Sequence, residues 1–368
     1  MKVIIFSKSN WNIFNFRKGL IIKLIKKGYK IYILSSEDSY KKELIKLGCI
    51  IYPININNKK INPLFDIILL FRIYNYYKKI KPNIVLHFNI KPVIYGSFVS
   101  GLLNIHHINM ITGLGTAFIS KNIIKKIVKF LYFISMQKTN MVFFQNKDDR
   151  NLFVKNNLIK KKFTSLIPGS GINLKYYPLK TYPKNNHFIF LLISRILWDK
   201  GIKEFVMAAK LLHSKYSNLT FQLLGPLEKE ISSEISLKQI KLWEKDKIIS
   251  YLGFVKDVRP YIKKSHCVVL PSYREGTPKS LLEGAAMGRP IIATNTTGCK
   301  EVIDHGLNGY LCKNKNYISL ANSMEKFIKL SLKKKIDMGK KGRIKIMNEF
   351  DEKKVINLYL ETIKKITI

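Results

Sequence analysis

Two glutamates eight positions apart, Glu275 and Glu283, carry the clearest chemical signal in this sequence. They lie in the stretch REGTPKSLLEGAAMGRPIIAT, residues 274–294. The apolar residues 268–270 predict the end of a buried strand, and those after Pro278 predict a helix, so Glu275 lies in a loop and Glu283 in the helix. A helix N-terminus attracts anions through its unpaired N–H groups and its dipole. Because a loop carboxylate can accept hydrogen bonds from hydroxyl groups, the pattern indicates a nucleotide-linked sugar as ligand.

Two cations form a second candidate group. Arg195 and Lys200 lie in SRILWDKGIKEFVMAAKLL, residues 194–212, on either side of a tight turn after a predicted strand. Negative charge builds on the leaving phosphate when the anomeric C–O bond of a nucleotide diphosphate sugar breaks, and cations held there stabilise it. Arginine can bind phosphate with two parallel bonds, whereas lysine acts as a point charge. The alternative is two solvated surface cations, since lysine is abundant throughout the chain.

Two further blocks stand in the same order as in a known family. PGSGINLKYYP spans residues 168–178, and HFNIKPVIYGSF (87–98) is followed by NMITGLGTAF (109–118). Together the four blocks resemble retaining glycosyltransferases of family 4, and the last pair resembles the subgroup that makes bacterial surface polysaccharides, lipid-linked oligosaccharides or protein-linked glycans. The resemblance covers nearly the whole chain. It implies an α/β protein of two Rossmann-like domains facing a cleft (the GT-B fold), with a C-terminal helix that returns to the first domain.

The resemblance assigns the donor site to the second domain. Arg195, Lys200 and Glu275 would be catalytic, with the two cations at the pyrophosphate and Glu275 at the sugar hydroxyls. Glu283 would bind the ribose hydroxyls. The remaining donor-binding candidates are backbone positions at the loop and at the helix start: Gly171, Gly276, Thr277, Pro278, Lys279, Ser280 and Leu281. The alternative is that both glutamates are surface acids.

Acceptor-side candidates lie in the first half of the chain: Asn15, Arg17, His87, Asn89, Lys91, Thr112 and Gly113. Residues 7–19 are expected to form a turn after the first strand, although family members often have glycine there and this chain has none before Gly19. His87, Asn89 and Lys91 follow a predicted strand, where ligands bind in open α/β sheets. Lys91 is a candidate contact for an acceptor phosphate. A buried His87 and a surface Lys91 are the alternatives.

Thr112 precedes Gly113 at a position where many relatives carry a histidine. No general base is therefore transferred from that histidine to this chain. The resemblance implies front-face attack, in which the leaving phosphate takes the proton of the acceptor hydroxyl. Neither Glu275 nor Glu283 is read as a covalent nucleophile, because a loop and a helix need not place two carboxylates face to face.

The length of 368 residues suits two domains. Short apolar runs alternate with helical patterns in both halves, which argues for parallel sheets with helical crossovers. The sequence predicts an acceptor-binding domain over 1–175, a proline-containing linker over 176–186, a nucleotide-sugar-binding domain over 187–348, and the returning helix within 349–368.

The formal net charge of +41 is concentrated in the first half. Residues 1–180 hold 31 Lys and Arg against 6 Asp and Glu, whereas residues 181–368 hold 34 against 18. A basic surface is attracted to anionic lipid headgroups. The predicted helix 122–137 has Lys125 and Lys129 on one stripe of a strongly apolar helix, so it could lie in a membrane interface or cover a sheet with a narrow wet face. Compositional drift in an AT-rich genome is the other explanation of the charge.

The four cysteines are scattered, so neither a disulfide framework nor a zinc site is expected. The first residues contain too short an apolar run for a signal peptide or a membrane span, and no other run reaches the ~18 apolar residues that a span needs. We expect a cytoplasmic enzyme, peripheral on the inner face of the cytoplasmic membrane, with no cofactor and no metal.

The sequence thus predicts transfer of a hexose or N-acetylhexosamine from a nucleotide diphosphate sugar, with UDP as the expected nucleotide, to a lipid-linked or cell-surface glycan precursor. A nucleotide-sugar epimerase of the same fold is an alternative, although Thr112 replaces the histidine it would need. A basic nucleic-acid-binding protein is a further alternative, but no nucleic-acid-binding motif supports it, and we expect no nucleic-acid partner. G-x-G-x-x-G is absent after both first strands, which excludes a dinucleotide oxidoreductase.

Overall fold

A computed structural model describes residues 1–56, 63–113, 123–228 and 233–368. The chain forms two compact units, Met1–Ser170 with Glu352–Ile368, and Gly171–Asp351. The chain therefore changes unit between Ser170 and Gly171, ahead of the segment 176–186 predicted as a linker. Residues of that segment belong to the second unit, and Tyr177 and Tyr182 are buried in its apolar clusters.

The first unit is built on a seven-stranded parallel sheet of order β3-β2-β1-β4-β5-β6-β7. Its strands are β1 Lys2–Ser9, β2 Lys30–Ser36, β3 Ile50–Pro53, β4 Ile84–Phe88, β5 His106–Ile111, β6 Met141–Phe144 and β7 Thr164–Leu166. Its helices in the first part of the chain are α1 Asn10–Lys26, α2 Lys41–Lys46, α3 Pro63–Ile80, α4 Ser97–Leu102, α5 Ile123–Ser135 and α6 Lys147–Lys155.

Helices cover both faces of this sheet. Val3 and Ile5 pack with α1, whereas Ile4 and Phe6 pack with α3, because successive side chains of a strand point to opposite faces. Helices α3, α4 and α5 connect strands in the direction of β7 and cover one face of the sheet. Helices α1 and α2 connect strands in the direction of β3 and cover the other face. This separation follows from the right-handedness of parallel crossovers.

The second unit repeats the plan with a six-stranded parallel sheet of order β10-β9-β8-β11-β12-β13. Its strands are β8 Phe188–Ile193, β9 Leu219–Leu224, β10 Ser250–Tyr251, β11 Cys267–Leu270, β12 Ile291–Thr294 and β13 Gly309–Cys312. Its helices are α7 Ile202–His213, α8 Leu237–Lys245, α9 Arg259–Lys264, α10 Lys279–Ala286, α11 Tyr317–Ile328 and α12 Leu332–Glu349.

The last helix, α13 Glu352–Thr367, belongs to the first unit. Val355, Tyr359 and Ile363 of α13 are buried in the same apolar cluster as Ile13 and Leu20 of α1. This packing confirms the predicted return of the C-terminal helix.

Each sheet contains one point at which the strand order reverses, between β1 and β4 in the first unit and between β8 and β11 in the second. Ligands of open α/β sheets bind outside the carboxyl ends of the strands at such a point. The loops that follow these four strands therefore position the candidate sites.

Two local expectations were wrong. Strand β1 continues to Ser9, which caps α1 by accepting a hydrogen bond from the backbone N–H of Asn12, so residues 7–19 are a strand end and a helix start rather than a turn. In α5, Lys129 donates to Asn156 Oδ1 at 2.5 Å, and the exposed stripe carries Ile127 and Phe130 rather than Lys125 and Lys129. Residue 122 of the predicted 122–137 segment lies outside the described residues. Among the described helices, none combines the length and hydropathy of a membrane span.

Candidate active site

The loop after β8 carries Lys200 at the end of a short 3-10 turn, Trp198–Lys200. Gly201 follows with φ 73°, a left-handed conformation that favours glycine. A β-carbon at Gly201 would collide with the backbone carbonyl of Pro271, which follows β11. Glycine thus allows the loop that holds Lys200 to pack directly against the end of the neighbouring strand.

Backbone hydrogen bonds tie three loops together around Glu275. The Tyr273 N–H donates to the Asp199 carbonyl at 2.9 Å, which joins the loops after β11 and β8. The Glu275 N–H donates to the Thr297 carbonyl at 3.0 Å, which joins the loops after β11 and β12. Gly298 adopts φ 89° beside the Glu275 and Gly276 carbonyls, where a side chain would not fit. The backbone on which Glu275 sits is therefore fixed from two sides.

Lys200 and Glu275 meet at this junction, 75 residues apart in sequence. Lys200 Nζ lies 2.7 Å from Glu275 Oε1, and the two side chains are only 13% and 17% exposed. A half-desolvated pair of this kind is stronger than one on the surface, because water screens it less. The structure thus brings a cation suited to phosphate and a carboxylate suited to hydroxyl groups into one contact.

Helix α10 begins four residues after Glu275. Pro278 is its N-cap, no side chain caps its first turn, and that turn contains no acidic residue. The first N–H groups of a helix have no partner within the helix and attract anions. The predicted backbone contacts Gly276, Thr277, Lys279, Ser280 and Leu281 surround this N-terminus.

Glu283 lies on the buried side of α10 and is 6% exposed. The Tyr177 hydroxyl donates to Glu283 Oε1 at 2.6 Å, and Lys279 Nζ lies 3.7 Å from the same oxygen. Burial raises the pKa of Glu283, while Lys279 and the Tyr177 hydrogen bond act in the opposite direction. Sequence reasoning missed Tyr177, although the aromatic pair in GINLKYYP lies inside one of the blocks that it singled out.

Arg195 is held more loosely than Lys200. Its side chain is 44% exposed, and Nη1 lies 3.7 Å from Glu228 Oε1. The side chain can therefore move toward a ligand at little cost. Gly171, the other predicted donor contact, is the first residue of the second unit and has φ 66°.

The reversal point of the first sheet carries neutral polar groups. Ser7, after the buried part of β1, donates to Asn89 Oδ1 at 2.6 Å, and Asn89 follows β4 with φ 74°. Asn15 and Arg17, predicted in a turn, lie on α1 instead. The Asn15 amide donates to the Trp11 carbonyl. Arg17 is 4% exposed beneath Phe88, and burial lowers its pKa.

His87 is fully buried and belongs to a hydrogen-bonded network beneath this edge. Its Nε2 lies 2.9 Å from the Tyr77 hydroxyl and its Nδ1 lies 2.8 Å from Asn109 Oδ1. The Asn109 amide donates to Thr139, which also contacts His107. Burial lowers the pKa of His87 well below its usual value and lowers that of His107 to about 4. The structure thus supports the structural alternative for His87 rather than an acceptor contact.

Lys91 lies 2.6 Å from Asp66 Oδ1, with the two side chains 13% and 10% exposed. Lys91 is therefore not a surface charge, and its ammonium group is not open to an acceptor phosphate. Thr112 and Gly113 are the last residues described before the gap at 114–122, and the remainder of the 109–118 block lies outside the described residues. In the parts of the chain that the structure describes, three or more His, Cys, Asp or Glu nowhere gather as a metal site would require.

Comparison with protein families decides the class. The family model for glycosyl transferases group 1 matches residues 180–345, and the model for the glycosyl transferase 4-like domain matches residues 2–146. The two matched segments span most of the chain, in the order in which the two sheets occur. The chain belongs to these glycosyltransferases.

Two curated relatives of the glycosyltransferase come from bacteria. It is 26% identical, over 98% of both chains, to the N,N'-diacetylbacillosaminyl-diphospho-undecaprenol alpha-1,3-N-acetylgalactosaminyltransferase of Campylobacter jejuni. It is 24% identical, over 83% of its own length and 82% of the relative, to the UDP-Gal:alpha-D-GlcNAc-diphosphoundecaprenol alpha-1,3-galactosyltransferase of Escherichia coli.

Solved structures agree with the fold. Anabaena HepE in complex with UDP-glucose superposes with a TM-score of 0.81 at 16% identity, covering 99% of this chain and 100% of HepE. A glycosyltransferase from Rickettsia africae superposes with a TM-score of 0.77 at 19% identity, covering 99% and 98% of the two chains. These likenesses confirm the predicted architecture of two Rossmann-like domains, the GT-B fold.

Proposed function

We propose that this glycosyltransferase moves a hexose or N-acetylhexosamine from a UDP-sugar to a lipid-linked glycan precursor, with retention of the anomeric configuration and without a metal. The observation that carries the donor part is the Lys200–Glu275 contact of 2.7 Å at the reversal point of the second sheet, beside the open N-terminus of α10. A cation, a carboxylate and a helix N-terminus at this edge match the phosphates and hydroxyl groups of a nucleotide sugar.

Lys200, Arg195 and the first turn of α10 would hold the diphosphate. As the anomeric C–O bond breaks, its electron pair passes to the leaving phosphate oxygen, and these groups stabilise the charge that develops there. Because two cations and a helix terminus already face the leaving group, a metal ion is unnecessary for that purpose.

Glu275 would orient the sugar. Its Oε1 is engaged by Lys200 in the free enzyme, which leaves Oε2 to accept a hydrogen bond from a sugar hydroxyl. Glu283 would receive the ribose hydroxyls beside Tyr177. The acceptor hydroxyl would attack on the face from which the phosphate departs, and the departing phosphate would take its proton, so no protein base is needed.

The acceptor is proposed from the relatives. The names of the C. jejuni and E. coli enzymes both contain an undecaprenol diphosphate-linked sugar, and the E. coli name specifies a UDP donor. The Anabaena structures hold UDP and UDP-glucose. The first unit, with its polar edge at Ser7 and Asn89, would receive the head of such an acceptor.

Transfer from a panel of radiolabelled UDP-sugars to short-chain prenyl diphosphate-linked sugars, in the presence of EDTA, tests this proposal. We expect one UDP-sugar to be consumed and NMR to show an α-linked product, as retention from an α-linked donor requires. A β-linked product would contradict retention, and recovery of activity only with added metal would contradict the cation account. Interconversion of two UDP-sugars without acceptor would instead identify an epimerase.

A further inference from the structure

The face of the first unit that α3, α4 and α5 cover exposes an unusual amount of apolar side chain. On α3, Ile67, Ile68 and Phe71 are about half to two-thirds exposed, and Leu64 and Phe65 in its first turn are exposed as well. Leu69 and Ile73 on the opposite side of α3 are buried against the sheet. The apolar residues of α3 thus exceed what packing on the sheet requires.

The neighbouring helices continue this pattern. Phe98 and Leu102, one turn apart on α4, are 45% and 62% exposed. On α5, Ile127, Phe130 and Ile134 are all exposed, while Val128 and Tyr132 face the core. Since all three helices lie on the same face of the sheet, with α4 in contact with both α3 and α5, their outer sides form one surface. We call the exposed apolar side chains of α3, α4 and α5 the apolar surface.

The sequence that builds this surface contains no acidic residue over a long stretch. Residues 67–147 hold eleven Lys and Arg and no Asp or Glu, whereas the rest of the chain holds all 24 acidic residues. Drift toward lysine codons enriches lysine but does not by itself remove acids from one segment alone. Arg72 of α3 and Lys126 of α5 are exposed within the same helices, next to Phe71 and Ile127. A row of exposed apolar side chains with the exposed cations Arg72 and Lys126 among them matches a bilayer that contains anionic lipid.

We propose that the apolar surface docks this glycosyltransferase on an anionic lipid bilayer, with the phenylalanines in the acyl boundary and Arg72 and Lys126 at the headgroups. A second copy of the chain is a poorer occupant, because it would place two surfaces of the same charge against each other.

Docking there would also present the acceptor side of the enzyme to the membrane. Asp66 in the first turn of α3 pairs with Lys91, which follows β4, so the apolar end of α3 lies beside the carboxyl edge of the first sheet. A prenyl-linked acceptor would then bring its sugar to that edge while its chain stays in the bilayer. This step rests on the proposed function, whereas docking itself does not.

The test is co-sedimentation of the full chain with phosphatidylcholine vesicles, with and without phosphatidylglycerol, in the absence of donor. We expect strong binding only when phosphatidylglycerol is present. The triple variant Phe71→Ser, Phe98→Ser, Phe130→Ser, with one change per helix, should weaken binding by about tenfold or more. The variant Arg72→Glu, Lys126→Glu should remove the preference for phosphatidylglycerol.

Matched controls come from the second unit. Leu237, Leu242 and Phe254 are exposed to a similar degree, so their triple replacement by serine should leave vesicle binding unchanged. Thermal unfolding and UDP binding of every variant verify the fold and the donor site independently of the membrane. Vesicle binding that persists in the phenylalanine variant, or falls equally in the control, would overturn the proposal. Concentration-dependent dimerisation lost in the phenylalanine variant would assign the apolar surface to a second copy instead.

Discussion

At the reversal point of the second sheet, Lys200 and Glu275 face each other at 2.7 Å beside an uncapped helix terminus. At the equivalent point of the first sheet, Ser7 donates to the neutral Asn89, and Lys91, two residues further along, is paired with Asp66. Both sheets have the same plan, yet among the described residues the central contact of the second edge is an ion pair and that of the first edge is neutral. The side chains of the loops, rather than the fold, therefore distinguish the proposed diphosphate site from the first edge.

The buried groups beneath the two edges differ as well. Under the first edge lie two neutral histidines, His87 and His107, in a network that has no exposed member among its hydrogen-bonding side chains. The Lys200–Glu275 pair of the second edge remains partly exposed to solvent. We infer that the first edge is built for rigidity and the second for binding, and the following changes test that difference.

Removing the charges of the second edge should have the largest effect. Glu275→Gln or Lys200→Ala should lower the transfer rate by about a hundredfold to a thousandfold, as loss of a group that stabilises transition-state charge does. Because the pair is mostly buried, losing one partner should also lower the melting temperature, so the rates are compared well below it. Initial rates with the preferred UDP-sugar measure this, with the exposed Asp337→Asn and Lys203→Ala as matched controls. Rates within a few-fold of wild type would remove the pair from the mechanism.

Breaking the ion pair of the first edge should cost stability without changing donor binding. Asp66→Asn leaves the Lys91 ammonium mostly buried without its counter-charge, which costs about 3 kcal/mol in comparable pairs. We expect a lower urea midpoint and an unchanged dissociation constant for UDP. If UDP binding fell while stability held, the two edges would not have the separate roles described here.

Acid should weaken the first unit through its two histidines. The unfolded chain takes up protons below a pKa of about 6.5, whereas folded His107 does so only near 4 and burial holds the pKa of folded His87 well below its usual value. Because the unfolded state binds more protons in that window, stability falls as the pH drops, by about 1.4 kcal/mol per pH unit for each histidine. Burial also lowers the pKa of His266, in the second unit, to about 4. The second unit therefore has one histidine that makes its stability fall in acid.

Hydrogen exchange of core amides in β4, β5 and β11, corrected for intrinsic rates between neutral pH and about pH 4.5, measures this difference. We expect protection in β4 and β5 to decline more steeply than in β11. Equal slopes would contradict the assignment of His87 and His107 as neutral buried groups.

Arg195→Ala should have the smallest effect on transfer. Its guanidinium is 44% exposed and loosely paired with Glu228, so water and salt screen its charge. We expect a loss of about tenfold that shrinks as salt rises, since an exposed contact contributes less than a desolvated one. An effect as large as that of Lys200→Ala would show that Arg195 moves inward when the donor binds.

Strands were predicted well where the apolar run itself marks the ends. The apolar runs 84–88, 141–144, 188–193 and 267–270 predict strands with the same bounds as β4, β6, β8 and β11, because buried parallel strands are continuous apolar segments bounded by polar residues. The segment 332–349 has no comparable signal, although it forms α12. It packs on α10 through Gly339 and Gly342, which approach Gly288 and Ala285, so only Met338 and Ile346 mark its buried side as apolar.

The sequence predicted which residues form the candidate site but not which of them contact each other. Motif blocks identified Lys200, Glu275 and Glu283, yet the Lys200–Glu275 pair joins residues 75 positions apart, and the Tyr177–Glu283 bond joins residues 106 apart. Such distances follow only from the register of the sheet. Lys91 shows the same limit, because its partner Asp66 lies on a helix whose orientation the sequence pattern does not fix.

The most direct test of the donor site is calorimetric titration of UDP into the intact protein in EDTA, repeated with Lys200→Ala and Glu275→Gln. We predict that UDP binds wild type without metal, that Lys200→Ala weakens it by about tenfold or more, and that Glu275→Gln, which acts on the sugar, changes it little. Absence of UDP binding by folded wild type, or equal binding by Lys200→Ala, would contradict a diphosphate site at this edge of the second sheet.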